Sequence, residues 1–188
     1  GTYEFLKVTV AANGRQTFAT AWTAGTTTNA VPRDQLGVWA VTRQSSALVS
    51  GSDTWLYMGG GKLGSGAADG KVDAAKIGTD GQLTVWTTTL KGMGGSGTAG
   101  FGICAANSRL YAFGGQGGSP NKGVSTGIMD PMSTVPTLLN SSWNSEGISM
   151  THGRYLMGSA VQSAFIFLMG GQTDEPSAAS KTTETVIW

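Results

Sequence analysis

The sequence predicts an all-β protein built from repeated units of four short antiparallel strands. Three observations predict it: a composition that disfavours helix, a hydrophobic run ending in two glycines that occurs three times, and turn residues between short apolar runs. The longest apolar run, Ala164 to Met169, has six residues. A membrane-spanning helix needs about 20 apolar residues, so we expect no membrane insertion.

Composition supports strands and limits the possible partners. The 188 residues include 30 glycines, and only 12% are charged. Glycine costs about 1 kcal/mol per helical position relative to alanine, whereas threonine, valine and aromatic residues suit a pleated sheet. The net charge of +1 comes from 12 basic and 11 acidic residues scattered along the chain, so nucleic acid is not an expected partner.

Low charge with abundant glycine, serine and threonine is typical of an extracellular, cell-surface or virion protein, and we expect one of these locations. The opening GTYEFLKV has neither the basic region nor the long apolar stretch of a signal peptide. Because the chain starts on Gly1, we expect it to be a processed or excised piece of a longer protein.

The repeat is carried by a strand that ends in a glycine pair. WLYMGG ends at Gly60, LYAFGG at Gly115 and IFLMGG at Gly171, with spacings of 55 and 56 residues. A second apolar run and a polar turn precede each copy, as in GICAANSR before Leu110. Two short apolar runs separated by turn residues predict a β-hairpin, so each glycine pair closes the second strand of a hairpin.

Further strands are predicted between the glycine pairs. A strand-like run follows each pair at 70–77, 123–129 and 182–188, and 3–10 is the equivalent run for the first unit. Asn13-Gly14 and Asp80-Gly81 favour tight turns after two of these runs. The sequence therefore predicts one domain over 1–188 with approximate blades at 3–69, 70–122 and 123–181, and with 182–188 as the first strand of a further blade.

A period near 50 with a hydrophobic run ending in Gly-Gly resembles the kelch repeat, one four-stranded blade of a β-propeller. The segment IGTDGQLTVWTTTLKG, followed by LYAFGGQ, is similar to the bacterial kelch-like subtype. That subtype often carries an arginine before the second strand. Arg43 and Arg154 match this loosely, whereas the middle unit has SGTAGFG and the third replaces Asp-Gly with Asp130-Pro131.

The resemblance implies a propeller segment with open ends. Propellers close with about four to eight blades, and three and a fraction do not close a ring. We therefore expect further blades, other copies of the chain or neighbouring subunits to cover the ends. The copper enzymes built on kelch propellers use more than one histidine together with tyrosine and cysteine, so their activity is not implied here.

The sequence nominates no catalytic residue, metal ligand or cofactor site. His152 is the only histidine, and Cys104 is the only cysteine and lies in an apolar run. No Gly-x-Ser-x-Gly elbow occurs, and GTDGQLTVW does not match the sialidase turn Ser-x-Asp-x-Gly-x-x-Trp. Acidic residues are sparse, and no carboxylate pair for glycoside hydrolysis stands out.

Two kinds of loop allow a ligand-binding interpretation, and in both we favour a structural one. The glycines at 59–61 and 114–118 could cradle a phosphate, but strand-like residues follow them where a phosphate loop needs a helix. Residues 172–176 could offer oxygen ligands to Ca²⁺, but an exposed turn without a ligand also accounts for these residue types.

The tryptophans are the remaining candidates for packing between blades or for contact with a partner. Trp22, Trp86 and Trp143 recur with the repeat, which predicts packing between blades. Trp39 lies beside a Thr-rich insertion, which makes it the candidate for a surface contact with a partner, although we favour core packing for it.

Three functional hypotheses follow. The first is a non-catalytic scaffold or binding module that recognises a protein or glycan through its loops. The second is a structural component of a capsid, tail, filament or surface layer that packs against neighbouring copies. The third is part of a carbohydrate-active enzyme whose catalytic residues lie in missing blades.

Overall fold

The computed structural model assigns only strands as regular secondary structure in the part of the chain that it describes. The described residues are 4–26, 31–43, 53–84, 86–90, 92–93, 98–130, 132–133, 135–139, 143–173 and 183–187. Across these ranges no helix is long and apolar enough to cross a membrane. The prediction of an all-β fold is confirmed.

The first described residues, 4–24, form four short strands in two pairs, here called the N-terminal ribbon. Its strands are β1 (Glu4–Phe5), β2 (Val8–Val10), β3 (Gln16–Phe18) and β4 (Thr23–Ala24). β1 pairs with β4 and β2 with β3, both antiparallel. The predicted Asn-Gly turn joins β2 to β3: Gly14 has a φ of 80°, and Asn13 Oδ1 accepts a hydrogen bond of 3.0 Å from the Arg15 amide.

Two complete four-stranded antiparallel sheets follow the ribbon. Their region contains β5 (Arg33–Asp34), β6 (Gly37–Arg43), β7 (Asp53–Gly59), β8 (Lys62–Leu63), β9 (Val72–Ile77), β10 (Thr87–Leu90), β11 (Gly102–Ala106), β12 (Arg109–Phe113), β13 (Gly123–Ile128) and β14 (Asn144–Ser149). The first sheet has the order β6-β7-β9-β10 and the second the order β11-β12-β13-β14. Both are simple meanders, as the sequence predicted for a unit of four strands.

A third sheet completes the described structure. Its region contains β15 (Arg154–Tyr155), β16 (Gly158–Gln162), β17 (Phe165–Met169), β18 (Gln172–Thr173) and β19 (Thr183–Ile187). The third sheet has the order β16-β17-β19, and short pairs β5-β8 and β15-β18 flank the first and third sheets. Among the described residues it therefore has three strands where the first two sheets have four.

The sheets that strand pairing defines begin and end at other residues than the predicted blades. The boundaries after residues 69 and 122 fall inside the first and second sheets, between their second and third strands. The run at 182–188, predicted to open a further blade, contains β19, which pairs with β17 as the third strand of the third sheet. A sequence period gives the length of a unit but not the strand at which it begins, and strand pairing fixes that start.

Consecutive sheets pack face to face. In both interfaces, one side of a sheet meets the sheet that follows it in the chain, and the other side meets the sheet that precedes it. Trp39 and Tyr57 on the first sheet pack in one core cluster with Leu110 and Ala112 on the second. We call the face of a sheet that meets the following sheet its front face, and the face that meets the preceding sheet its back face. The front face of the first sheet thus covers the back face of the second.

The same arrangement holds between the second and third sheets. Tyr111 and Phe113 on the front face of the second sheet pack in one cluster with Ile166 and Leu168 on the back face of the third. Residues alternate between the two faces along β12, because successive side chains of a strand point to opposite sides. One strand therefore contributes to two successive interfaces.

The first strands of the three sheets also lie beside one another. β6 and β16 both contact β11. A Cβ added to Gly37 would lie 2.5 Å from Cε2 of Phe101, and one added to Gly102 would lie 2.9 Å from Cγ of Met157. The Ile103 amide donates a hydrogen bond of 2.9 Å to Oγ of Ser159. Glycine at the start of a first strand thus permits the close approach of its neighbour.

Candidate functional site

The glycine pairs link neighbouring units by hydrogen bonds. Their left-handed residues are Gly60–Gly61, Gly114–Gly115 and Gly170–Gly171, with φ of 62° to 67° at the first position and 90° to 95° at the second. The first pair therefore lies one residue beyond the end predicted from WLYMGG. The amide of Gly61 donates to the Thr98 carbonyl at 2.8 Å, and that of Gly115 donates to the Arg154 carbonyl at 2.9 Å. Because these amides are engaged within the fold, the pairs at Gly60–Gly61 and Gly114–Gly115 are structural, as the sequence favoured.

Arg33 is the main buried cation of the first sheet. Its side chain donates to the carbonyls of Gly60 at 3.4 Å and Lys71 at 2.8 Å, and it forms an ion pair with the buried Asp73. Asp69 lies 3.7 Å away. A buried charge is tolerated when it is paired and hydrogen-bonded. Arg33 thus holds the carbonyl of one glycine pair and the start of β9 in place.

Arg154 has the equivalent role in the third sheet. It is buried and donates to the Gly170 carbonyl at 3.3 Å, the same position in the glycine pair that Arg33 contacts at Gly60. Arg43, which the sequence aligned with Arg154, is instead the last residue of β6. The arginine of the first unit that matches Arg154 is therefore Arg33, because both precede the glycine that opens the first strand by four residues.

The side chains with reactive groups that the sequence singled out, Cys104 and His152, differ in their burial. Cys104 is buried, and desolvation raises the pKa of its thiol from 9.0 to about 12. Burial also raises the pKa of Tyr57, whose hydroxyl donates to the Thr137 carbonyl at 3.2 Å. His152 is exposed in a bend. Among the described residues no group of three or more His, Cys, Asp and Glu could hold a metal ion.

Trp39, the candidate for a surface contact, lies in the core with 2% of its surface exposed. Its indole Nε1 donates to the Tyr111 carbonyl at 3.0 Å, and its rings lie 5.8 Å from Phe101 and 5.4 Å from Trp143. Core packing, which the sequence favoured over a surface contact, is what the structure shows. The alternation of β6 turns Trp39 onto the front face of the first sheet, where it presents no surface to a partner.

Two adjoining clefts form where the loops after the glycine pairs meet. The first, of about 390 Å³, is lined by 32–34, 62–64 and Gly66, and the second, of about 360 Å³, by Lys62, 66–68 and 116–118. They share Lys62 and Gly66, so they form one depression, called here the loop cleft. Pairing of Asp34 with Lys62 in β5-β8 fixes its rim.

The loop cleft combines few charges with many backbone groups. Asp34 is exposed, Lys62 is partly buried, and Gln116 is held by backbone hydrogen bonds to Ala99 of 2.9 and 3.1 Å. Sequence reasoning missed the cleft because its parts come from loops more than 80 residues apart. The available signal was a polar, glycine-containing loop after each glycine pair.

A larger depression separates the ribbon from the first sheet. It encloses about 460 Å³, and its lining includes Leu6, Lys7 and Val8 of the ribbon, with Leu56 and Ile77 of the sheet. Its walls are mainly apolar side chains that two packing elements leave incompletely covered. The Ca²⁺ interpretation of 172–176 lies largely outside the described residues, which end at 173 in that loop.

The architecture defines the class of the protein: an all-β chain of antiparallel sheets packed front to back. No protein-family model matches the sequence, and no curated protein matches it. Among solved structures, that of YjhT is similar with a TM-score of 0.51 over 95% of this chain and 76% of that chain. The two sequences are 11% identical, so the likeness concerns the fold alone.

Proposed function

We propose that the chain is a kelch-like β-propeller segment that acts as a non-catalytic scaffold and binds a protein or glycan through the loop cleft. Its sheets pack front to back with their first strands side by side, which is the arrangement of successive propeller blades. Its low charge and its abundance of glycine, serine and threonine favour an extracellular, cell-surface or virion location.

The observation that carries the proposal is that the loops of the cleft emerge from strands that buried contacts hold in place. Arg33 and the glycine pairs anchor the strands from which its loops emerge, through buried ion pairs and hydrogen bonds between units. Loops held by a rigid scaffold are where such folds place recognition. The buried Arg33 and Asp73 are used in that anchoring, whereas Asp34, Lys62 and Gln116 border open space.

The chemistry of the loop cleft suits a neutral, hydroxyl-rich or amide-rich ligand. One carboxylate, one ammonium and one amide provide both donors and acceptors without a strong field of either sign. Glycines at 64, 66, 117 and 118 leave backbone groups accessible beside them. A sugar or a polar peptide loop matches such a surface better than an anionic polymer.

Binding screens test the proposal. We expect a glycan array or a pull-down with the folded chain to yield a ligand whose affinity falls at least tenfold in Lys62→Ala and Gln116→Ala. Lys122→Ala is the matched control, since Lys122 is exposed and does not line the cleft. Blank screens, or equal losses in all three variants, would contradict binding at this cleft.

A further inference from the structure

The turn between β2 and β3 carries the pair Asn13-Gly14, and no other asparagine of the sequence is followed by glycine. Residues 11–15 are exposed. Gly14 has no side chain to cover its backbone nitrogen, and nothing outside the neighbouring residues lies within 4 Å of a Cβ added to it. The side-chain amide of Asn13 and the backbone nitrogen that follows it are therefore unshielded by other side chains.

A hydrogen bond holds the Asn13 side chain against this turn. The Arg15 amide donates to Asn13 Oδ1 at 3.0 Å, so the bond spans Gly14. When a nucleophile adds to Cγ of Asn13, negative charge develops on Oδ1, and a donor already in place on that oxygen stabilises the addition. The bond thus folds the side-chain carbonyl back along the main chain that contains the Gly14 nitrogen, and it activates that carbonyl for attack.

We propose that Asn13 is a site of spontaneous deamidation. The Gly14 nitrogen gives up its proton to solvent and bonds to Cγ of Asn13, while the bond from Cγ to the side-chain nitrogen breaks and ammonia leaves with a proton taken from solvent. Water then opens the cyclic succinimide to aspartate or isoaspartate. One water is consumed and one ammonia is released overall, with no oxidation or reduction. The reaction is independent of what the loop cleft binds.

The ribbon supplies the opening that the reaction needs. In the closed turn the Gly14 amide donates to the Ala11 carbonyl at 2.8 Å, so the turn must open before the nitrogen attacks. β2 and β3 are short and exposed throughout, so opening breaks few buried contacts. The matching turn of the first sheet, at Asp80-Gly81, lies beside the buried Leu83. An Asn-Gly pair therefore reacts faster in the ribbon than it would in the first sheet.

The turn of the first sheet also shows which product the ribbon accepts. Asp80 Oδ1 accepts a hydrogen bond of 3.0 Å from the Gln82 amide, and Gly81 has a φ of 85° where Gly14 has 80°. Aspartate at position 13 therefore keeps the turn. Isoaspartate carries the main chain through the side-chain carbon and lengthens it by one atom. Because turn geometry fixes the register of a hairpin, isoaspartate is expected to disturb the pairing of β2 with β3.

Peptide mapping by mass spectrometry of the folded chain, incubated at mildly alkaline pH, tests the proposal. Asn13 is expected to deamidate at least tenfold faster than Asn121, the matched control. Asn121 is exposed and its Oδ1 accepts the same kind of bond, from the Gly123 amide at 2.7 Å, but Lys122 follows it. A side chain at the following residue hinders the approach of the backbone nitrogen, and glycine does not. Aspartate and isoaspartate are expected together at position 13.

A second comparison tests the contribution of the ribbon. Asp80→Asn places an Asn-Gly pair in the matching turn of the first sheet, and we expect deamidation there to be at least tenfold slower than at Asn13. Hydrogen exchange in β2 and β3 should accelerate as isoaspartate accumulates in the wild-type chain. Freshly prepared Asn13→Asp should instead exchange like the unaged wild type. Circular dichroism verifies that both variants fold.

The outcomes separate the proposal from its alternatives. An Asn13 that stays intact in the folded chain, while the chain unfolded in urea deamidates there, overturns the proposal, because the turn would then stay closed. Equal rates at Asn13 and Asn121 also overturn it, since the glycine and the ribbon would then have no effect. Equal rates at Asn13 and at position 80 of Asp80→Asn would contradict the role of ribbon opening and leave the local sequence as the cause.

Discussion

At the scale of single residues, Gly115 shows why the repeat needs its second glycine. Its φ is 91°, and an added Cβ would lie 2.9 Å from Cβ of Phe101 and 3.1 Å from the Ala99 carbonyl oxygen. A left-handed conformation costs a residue with a side chain about 1–2 kcal/mol, and overpacking adds about 1–3 kcal/mol. We expect Gly115→Ala to lower the free energy of unfolding by about 2–5 kcal/mol in urea denaturation.

A comparison with Gly66 separates the conformational contribution from the overpacking contribution. It also has a positive φ, 82°, but no atom lies within 4 Å of an added Cβ. Gly66→Ala should therefore lose only the conformational part, about 1–2 kcal/mol. Equal losses at the two positions would show that the close approach of the units at Gly115 does not contribute.

Cys104 provides a residue-scale prediction about pH. Burial raises the pKa of its thiol from 9.0 to about 12, so above pH 9 the unfolded chain releases a proton that the folded chain retains. The stabilising contribution is complete below the unfolded pKa and is lost as the pH rises towards the folded pKa, by up to about 1.4 kcal/mol per pH unit.

Denaturant midpoints measured between about pH 8 and pH 10 test this linkage, and the comparison with Cys104→Ala separates it from the tyrosines, which titrate around pH 10. The wild-type midpoint should fall across this interval, and that of Cys104→Ala should change less. Parallel curves for the two proteins would indicate that the thiol ionises as readily in the folded chain as in the unfolded one.

At the scale of strands, only two of the three tryptophans that recur in the sequence occupy equivalent positions in the structure. Trp86 precedes Thr87, which pairs with Ala74, and Trp143 precedes Asn144, which pairs with Thr126; Ala74 and Thr126 occupy equivalent positions. Trp22 lies instead before β4 and is 64% exposed. Spacing alone suggested the match, because an insertion of uncertain length lies between Trp22 and the next glycine pair.

This difference predicts that replacing Trp143 or Trp22 by alanine lowers the stability of the protein by unequal amounts. Trp143 is buried on the back face of the second sheet, 5.4 Å from Trp39 and against Gly127. Trp143→Ala should cost about 3–5 kcal/mol of stability, the usual cost of removing a buried aromatic side chain. Trp22→Ala should change stability by less than about 0.5 kcal/mol. Similar losses measured by urea denaturation would contradict the placement of Trp22.

Strand identity could be predicted from the sequence far better than strand pairing. Apolar runs, turn dipeptides and the glycine pairs mark most strands, because these signals are local. The start of each unit could not be predicted, since a cyclic shift of the repeat leaves the period unchanged. Nor could the loop cleft be predicted, because it depends on which loops the packing of the sheets brings together.

At the scale of the whole molecule, the sheets form a chain of nearest-neighbour contacts. The second sheet is covered on both faces, whereas the third is covered on its back face only by the described residues. In such arrays stability is roughly a sum of unit and interface contributions. Opening of the third sheet therefore breaks one interface, and opening of the second breaks two.

Amide hydrogen exchange followed by mass spectrometry tests this inequality. In dilute solution, peptides from β12 should exchange more slowly than peptides from β17, although each is the second strand of its sheet, because local opening free energies follow the buried contacts that must break. Equal protection of β12 and β17 at all concentrations would mean that the sheets unfold as one cooperative unit, and that the uncovered face carries no energetic penalty.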